Sequence, residues 1–180
     1  MRGASRASYA SLRNALGVVA VGPATSEQIG DQLFAVVRLL DNEHGLRRAL
    51  ADATKPAAEK ADVARRLLHG RVSEATEGLV ADAAAAQWAT PGDFADALEQ
   101  LAIEALTMSA QYGGSLDDLE DDLFRFGRVV SGQAGLRSAL TGPTSSDALS
   151  LTINRLSRVF AGGEQPRYKA GLPAAPSRTH

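Results

Sequence analysis

A chain of 180 residues with 44% hydrophobic and 22% charged side chains has the composition of an ordinary globular protein, large enough to bury a real core. Its formal charge of −2 supplies no general attraction to nucleic acid or to an anionic membrane, and the absence of cysteine excludes disulfides and thiolate metal sites. Aromatic residues make up only 5% and alanine is abundant, a balance that favours helix over sheet. No apolar run approaches the ~20 residues of a membrane-spanning helix, and the opening MRGASRASYASLRNAL is too polar for a secretory signal.

The first helix is predicted over Ala4–Val18, with Ala7, Ala10 and Leu12 near one side, until Gly22-Pro23 stops it. Thr25 stands three residues before Gln28, the spacing of a capping box, and the next helix runs to about Asp41. Its residues Ile29, Leu33, Val36, Val37 and Leu40 recur at helical spacing and form one stripe to be buried. Asn42–Gly45 is a turn and Leu46–Ala51 a short helix. Pro56–His69 is the next helix, expected to bury Val63 and Leu67 and to end on Arg65, Arg66, His69 and Gly70.

Ser73–Trp88 is alanine-rich, with Leu79, Val80, Ala83 and Ala84 close together; small residues there allow close helix approach or leave a groove. Trp88, the single tryptophan, either packs into the core or borders a slot for a partner helix. Thr90-Pro91-Gly92-Asp93 is a strong helix start. Phe94, Leu98, Leu101, Ala105 and Met108 follow as a packing stripe, broken at Tyr112-Gly113-Gly114. Ser115 and Asp118 cap a further helix whose apolar side is Leu116, Leu119, Leu123, Phe126 and Val130. Asp117, Asp118, Glu120, Asp121 and Asp122 fill its first two turns, where the helix dipole tolerates negative charge. Thr144–Asp147 caps a last helix carrying Leu149, Ile153 and Leu156, and from Ala161 onward the composition is that of a disordered tail.

The chain repeats itself. Residues 31–54 read DQLFAVVRLLDNEHGLRRALADAT and residues 121–144 read DDLFRFGRVVSGQAGLRSALTGPT. Asp31, Leu33, Phe34, Arg38, Gly45, Leu46, Arg47, Ala49, Leu50 and Thr54 recur 90 residues later without insertion. Each copy is a long amphipathic run, a break, and a short second run. The second copy starts a bundle, so Leu116, Leu123 and Phe126 are expected either to pack against the Phe94–Met108 helix or to remain a site for self-association.

Little in the chain points to catalysis. His44, His69 and His180 have no metal-ligand partner one helical turn away. There is no phosphate-binding glycine loop and no serine flanked as in a hydrolase elbow. The acids of Asp117–Asp122 are explained by a solvated helix start, and Arg65, Arg66, His69 and Arg71 by helix-end capping.

The stretches SRASYASLRNAL, QLFAVVRLLDNEHGLRRALADATKPAAEKADVARRLLHG and TEGLVADAAAAQWATPGDFADALEQLA resemble the delta subunit of the F-type ATP synthase. That family is the bacterial counterpart of the mitochondrial oligomycin-sensitivity-conferring protein. LEDDLFRFGRVVSGQAGLRSAL is similar to the second bundle copy of its longer bacterial members, so the resemblance covers roughly Ser5–Leu140. It implies an all-α fold: a six-helix bundle over residues 1–112, a partial second copy over 113–160, and a disordered tail over 161–180. It also implies a non-catalytic structural part of the peripheral stalk, the stator, which helps couple proton translocation to ATP synthesis. Such a part is peripheral, on the cytoplasmic side of the cell membrane, with no direct membrane insertion, no nucleic-acid partner and no cofactor.

In that family the bundle grips the N-terminal helices of the alpha subunits in a groove between its first and fifth helices. By position the groove comprises Ala7, Tyr9, Ala10 and Leu12 with Leu79, Ala83 and Trp88. The family's C-terminal sheet domain binds the b subunit of the stalk. The sequence after the second copy does not resemble that domain, which implies a form without it. The alternative class is a free-standing helical adaptor or regulatory module.

Overall fold

The computed structural model describes residues 3–135, and the chain falls into two units, Met1–Asp121 and Asp122–His180. Among the described residues there are seven α-helices and no strand. They are α1 (Ala4–Val19), α2 (Pro23–Asn42), α3 (His44–Ala51), α4 (Ala57–Leu68), α5 (Glu74–Ala85), α6 (Pro91–Gly113) and α7 (Leu116–Gly132). The expected all-α class is what the chain adopts: six helices, then the opening of the second copy. The helix expected from Thr144 and the tail expected from Ala161 lie outside the described residues.

In the first unit α2 runs along α6 and α4 along α5, while α1 packs on both α5 and α6. The stripe of α2 is buried throughout, with Ile29, Leu33, Val36, Val37 and Leu40 in one core with Phe94, Leu98, Leu101 and Ala105 of α6. The two helices approach tightly at Gly30. A Cβ placed there would lie 2.7 Å from Leu106 Cγ and Cδ2 and 3.1 Å from the Ala102 carbonyl oxygen. Helix α5 is touched by five others and buries Leu79, Val80, Ala81, Ala83 and Ala84, apolar around most of its circumference as a central helix must be.

Helix ends follow local chemistry, with some shifts from expectation. Thr90 caps α6 by accepting the Asp93 N–H at 3.1 Å, with Pro91 in the first turn and Gly114 closing the helix at φ 70°. Ser73 caps α5 in the same way through the Thr76 N–H. Helix α2 begins two residues before the Thr25 capping box, because Pro23 takes the first helical position behind Gly22 at φ 85°. The expected turn Asn42–Gly45 shrinks to the single residue Glu43.

Two further elements differ from the sequence reading. The buried face of α4 is Lys60, Ala61, Ala64 and Leu68, one position away from Val63 and Leu67, which are only half-buried. Small residues at Ala61 and Ala64 let α4 sit close against an alanine-lined α5, and close packing selected that face over the bulkier one. Helix α5 stops at Ala85, so Trp88 belongs to the α5–α6 loop and not to the helix.

The repeat is structural as well as textual. Helix α2 ends at Asn42, Glu43 breaks the helix, and His44 resumes it. Ninety residues on, α7 ends at Gly132, Gln133 breaks it, and Ala134 is helical again. Burial does not repeat. Leu33 is fully buried in α2, whereas its counterpart Leu123 is 61% exposed, and Phe126 is likewise exposed where Val36 is buried.

Candidate partner-binding surface

Helix α1 is held by a row of polar contacts that its sequence alone does not advertise. Ser5 is fully buried; its hydroxyl donates to Asp93 Oδ2 at 2.7 Å and accepts the Ala89 N–H at 2.9 Å. One helical turn later, Ser8 donates to the Gln87 carbonyl at 2.7 Å. The Tyr9 hydroxyl donates to Glu104 Oε1 at 2.7 Å, and Arg13 Nε donates to Glu104 Oε2 at 2.9 Å. The contacts to Ala89 and Gln87 fasten α1 to the α5–α6 loop, and those to Asp93 and Glu104 fasten it to α6. Burial, with help from the hydrogen bond to Glu104 and its charge, pushes the Tyr9 phenol up to about 12.

The loop that α1 grips is itself fixed from beneath. Trp88 is 5% exposed; its indole N–H donates to the Ala83 carbonyl at 2.7 Å, and its ring meets Phe94 at 6.0 Å between centroids, tilted 55°. Lys60, only 2% exposed, donates to the Ala86 carbonyl at 3.3 Å. A cation at the last carbonyls of α5 suits both the unpaired acceptors and the helix dipole. Burial pulls the Lys60 ammonium below its usual range, and Asp52 opposes that shift.

These contacts sort the seven sequence-predicted groove residues. Leu12, Leu79, Ala83 and Trp88 meet in the bundle core, so no partner reaches them directly in this arrangement. Tyr9 is half-buried with its hydroxyl engaged by Glu104. Ala7 and Ala10 face outward. They open an exposed row on α1 that continues through Ser11, Asn14, Gly17 and Val18, small or apolar side chains spaced three and four apart. On α5 the half-buried Ala75, Gly78 and Ala85 are equally small.

Sequence reasoning missed Ser5, Ser8, Glu104 and Lys60. A serine within a helix carries no sign of its partner, and Ser5 meets its partners 84 and 88 residues away. Among the described residues, no three His, Asp or Glu side chains gather to hold a metal ion, and no helix is long and apolar enough to cross a membrane. The clearest perturbed groups, Tyr9 and Lys60, are each accounted for by contacts that hold the bundle together.

No family model matches the chain. Curated relatives do. The chain is 44% identical over 147 residues to the ATP synthase subunit delta of Kineococcus radiotolerans, a match covering 81% of this chain and 53% of that protein. It is 43% identical over 141 residues to the subunit delta of Thermobifida fusca, covering 78% of this chain and 52% of the relative. With the subunit delta of Nocardia farcinica the identity is 36% over 167 residues, 92% of this chain and 61% of the relative. The chain thus spans about half the length of the first two of these relatives.

Proposed function

We propose, on the premise that the chain is a relative of the ATP synthase delta subunits over most of its length, that it is a non-catalytic structural component of an ATP synthase. The similarity to proteins bearing that name, carried across a helical bundle, is the observation on which this reading rests. In this reading residues 1–112 are the part that grips the catalytic head. Residues from 113 begin a second bundle copy, and the assembly lies on the cytoplasmic face of the cell membrane.

The partner is an amphipathic helix, the N-terminus of an alpha subunit, laid along α1 and α5. The small side chains Ala7, Ala10 and Gly78 suit it, because they allow a partner's apolar stripe close to both backbones. Leu12, Leu79, Ala83 and Trp88 support this surface from below, and Tyr9 holds α1 at its angle to α6.

The test is titration of the purified chain with a fluorescently labelled peptide of an alpha-subunit N-terminus. Saturable binding is expected, and Ala10→Glu should weaken it by at least about tenfold by placing a charge in an apolar contact. Trp88 emission should move little on binding, because the indole is enclosed. No binding, or binding indifferent to charge at Ala7 and Ala10, would reject this surface. Failure of the chain to co-purify with the synthase head would instead favour a free-standing helical adaptor.

A further inference from the structure

The two halves of α1 are attached to the bundle in different ways. From Leu12 onward the helix is anchored by apolar burial: Leu12 and Leu16 lie in the core, and Ala20 behind them is enclosed as well. Between Ala4 and Ser11 the one fully buried residue is Ser5. Ala4, Ala7 and Ala10 are all exposed and Tyr9 is half-buried. The start of the helix is bare, with Gly3 at φ 46°, no side chain capping it and no acid in the first turn.

Hydrogen bonds hold this half instead. Ser5 bonds to Asp93 and Ala89, Ser8 to Gln87, and Tyr9 to Glu104. Each exchanges a bond to water for one to protein and contributes little net. By contrast, α2 and α6 each bury seven residues, so they stay folded under conditions that release the first half of α1. The loop that α1 grips does not depend on it. Trp88 ties the loop to the Ala83 carbonyl, Lys60 ties it to α4, and Thr90 caps the helix that follows. Losing the serine contacts therefore leaves the loop in place, and the opening stops at Leu12.

We infer that residues 4–11 form a hydrogen-bonded strap that undocks and unwinds as one unit while the rest of the first unit stays folded, with Ser5 as its positioning residue. Ser5 has that role because it is the strap's one enclosed side chain. Its hydroxyl also bridges a loop N–H and an α6 carboxylate, so two bonds to separate elements break together. Undocking removes the outward row that begins at Ala7 and Ala10, and frees the Gln87 carbonyl and the Ala89 N–H. Any contact made through the first half of α1 is thus conditional on the strap being closed. This goes beyond the structural role proposed above and does not depend on it.

Amide hydrogen exchange of the full chain, read residue by residue by NMR at several low urea concentrations, tests the strap. The amides of residues 8–11 are expected to exchange at least about a hundredfold faster than those of Leu33, Val36, Leu98 and Leu101. Their rates should depend little on urea, because a small opening exposes little surface. Ser5→Ala should speed the 8–11 amides by about tenfold, since it removes a bond to a carboxylate and a second to the loop, and Ser8→Ala, whose bond is exposed, by about threefold. Amides of 8–11 that match those of α2 and α6 in rate and urea dependence would mean that α1 opens only with the whole bundle, and would overturn the proposal. Fast exchange that ignores Ser5→Ala would be simple fraying of a helix end, and would overturn it as well.

Discussion

Gly30 is where the packing of the bundle can be tested with a single methyl group. In an exposed helix interior, Gly→Ala stabilises by about 1 kcal/mol, because alanine loses less backbone freedom on folding. At Gly30 the new Cβ would stand 2.7 Å from two carbons of Leu106 and 3.1 Å from the Ala102 carbonyl oxygen. Carbon atoms rest at about 3.5–4.0 Å, so Leu106 must retreat by about 1 Å. Leu106 is half-buried and can swing. The Ala102 carbonyl belongs to the α6 backbone and moves only if α6 moves. Overpacking of this kind costs about 1–3 kcal/mol. The two effects oppose each other, and Gly30→Ala should be destabilising by about 0.5–2 kcal/mol.

Gly30→Val, with no compensating helix preference and two more carbons to place, should cost about 3 kcal/mol or more. Gly78→Ala is the internal control. That glycine is also within a helix, but a Cβ there meets nothing within 4 Å, so the variant should gain about 0.5–1 kcal/mol. Urea unfolding followed by far-UV circular dichroism and Trp88 fluorescence measures all three. Truncating the clashing neighbour in Gly30→Ala/Leu106→Ala should recover part of the loss beyond additivity. The reasoning is refuted if Gly30→Ala stabilises the protein as much as Gly78→Ala does, since α2 and α6 would then not touch at that point.

Two further outcomes follow from groups whose ionisation the fold has moved. The Tyr9 phenol, raised to about 12 from the ordinary 10.0, contributes stability that is complete below pH 10 and is lost as the pH rises from 10 through 12. The absorbance difference between the parent and Tyr9→Phe should therefore titrate near 12, and a midpoint near 10 would mean that the phenol is neither buried nor held by Glu104. Lys60 is shifted down, so its protonated form costs the folded state stability at neutral pH, and that cost fades as the pH climbs toward the usual lysine value of 10.5. Lys60→Met should be nearly neutral at pH 7 and Lys60→Ala, which leaves a void, should cost about 2–4 kcal/mol. The parent should gain on Lys60→Met as the pH rises, and a gap that widens the other way would contradict burial of the ammonium.

Much of this molecule is legible without coordinates. The 3.6-residue spacing of Ile29, Leu33, Val36, Val37 and Leu40 gives both the helix and its buried face, since a helix in water must hide such a stripe. Thr90-Pro91 gives a helix start to the residue, because a side-chain acceptor and a missing N–H act within a few ångströms of the backbone they satisfy. The repeat shows that helix boundaries recur even where surroundings differ: Glu43 and Gln133 break their helices at matching positions.

Burial is a different kind of property. Four of the seven groove residues proved to be core and two lie on the outside, because which side of α1 is covered depends on where α5 and α6 stand. Lys60 was unreadable for the same reason, its partner being a carbonyl 26 residues away at the end of another helix. Leu33 and Leu123 make the point within one chain. Spacing along the backbone, a local quantity, determined that both sit on the apolar side of a helix that ends at the matching position. Whether that side meets another helix is set by contacts distant in sequence, and these enclose the first leucine and leave the second in water.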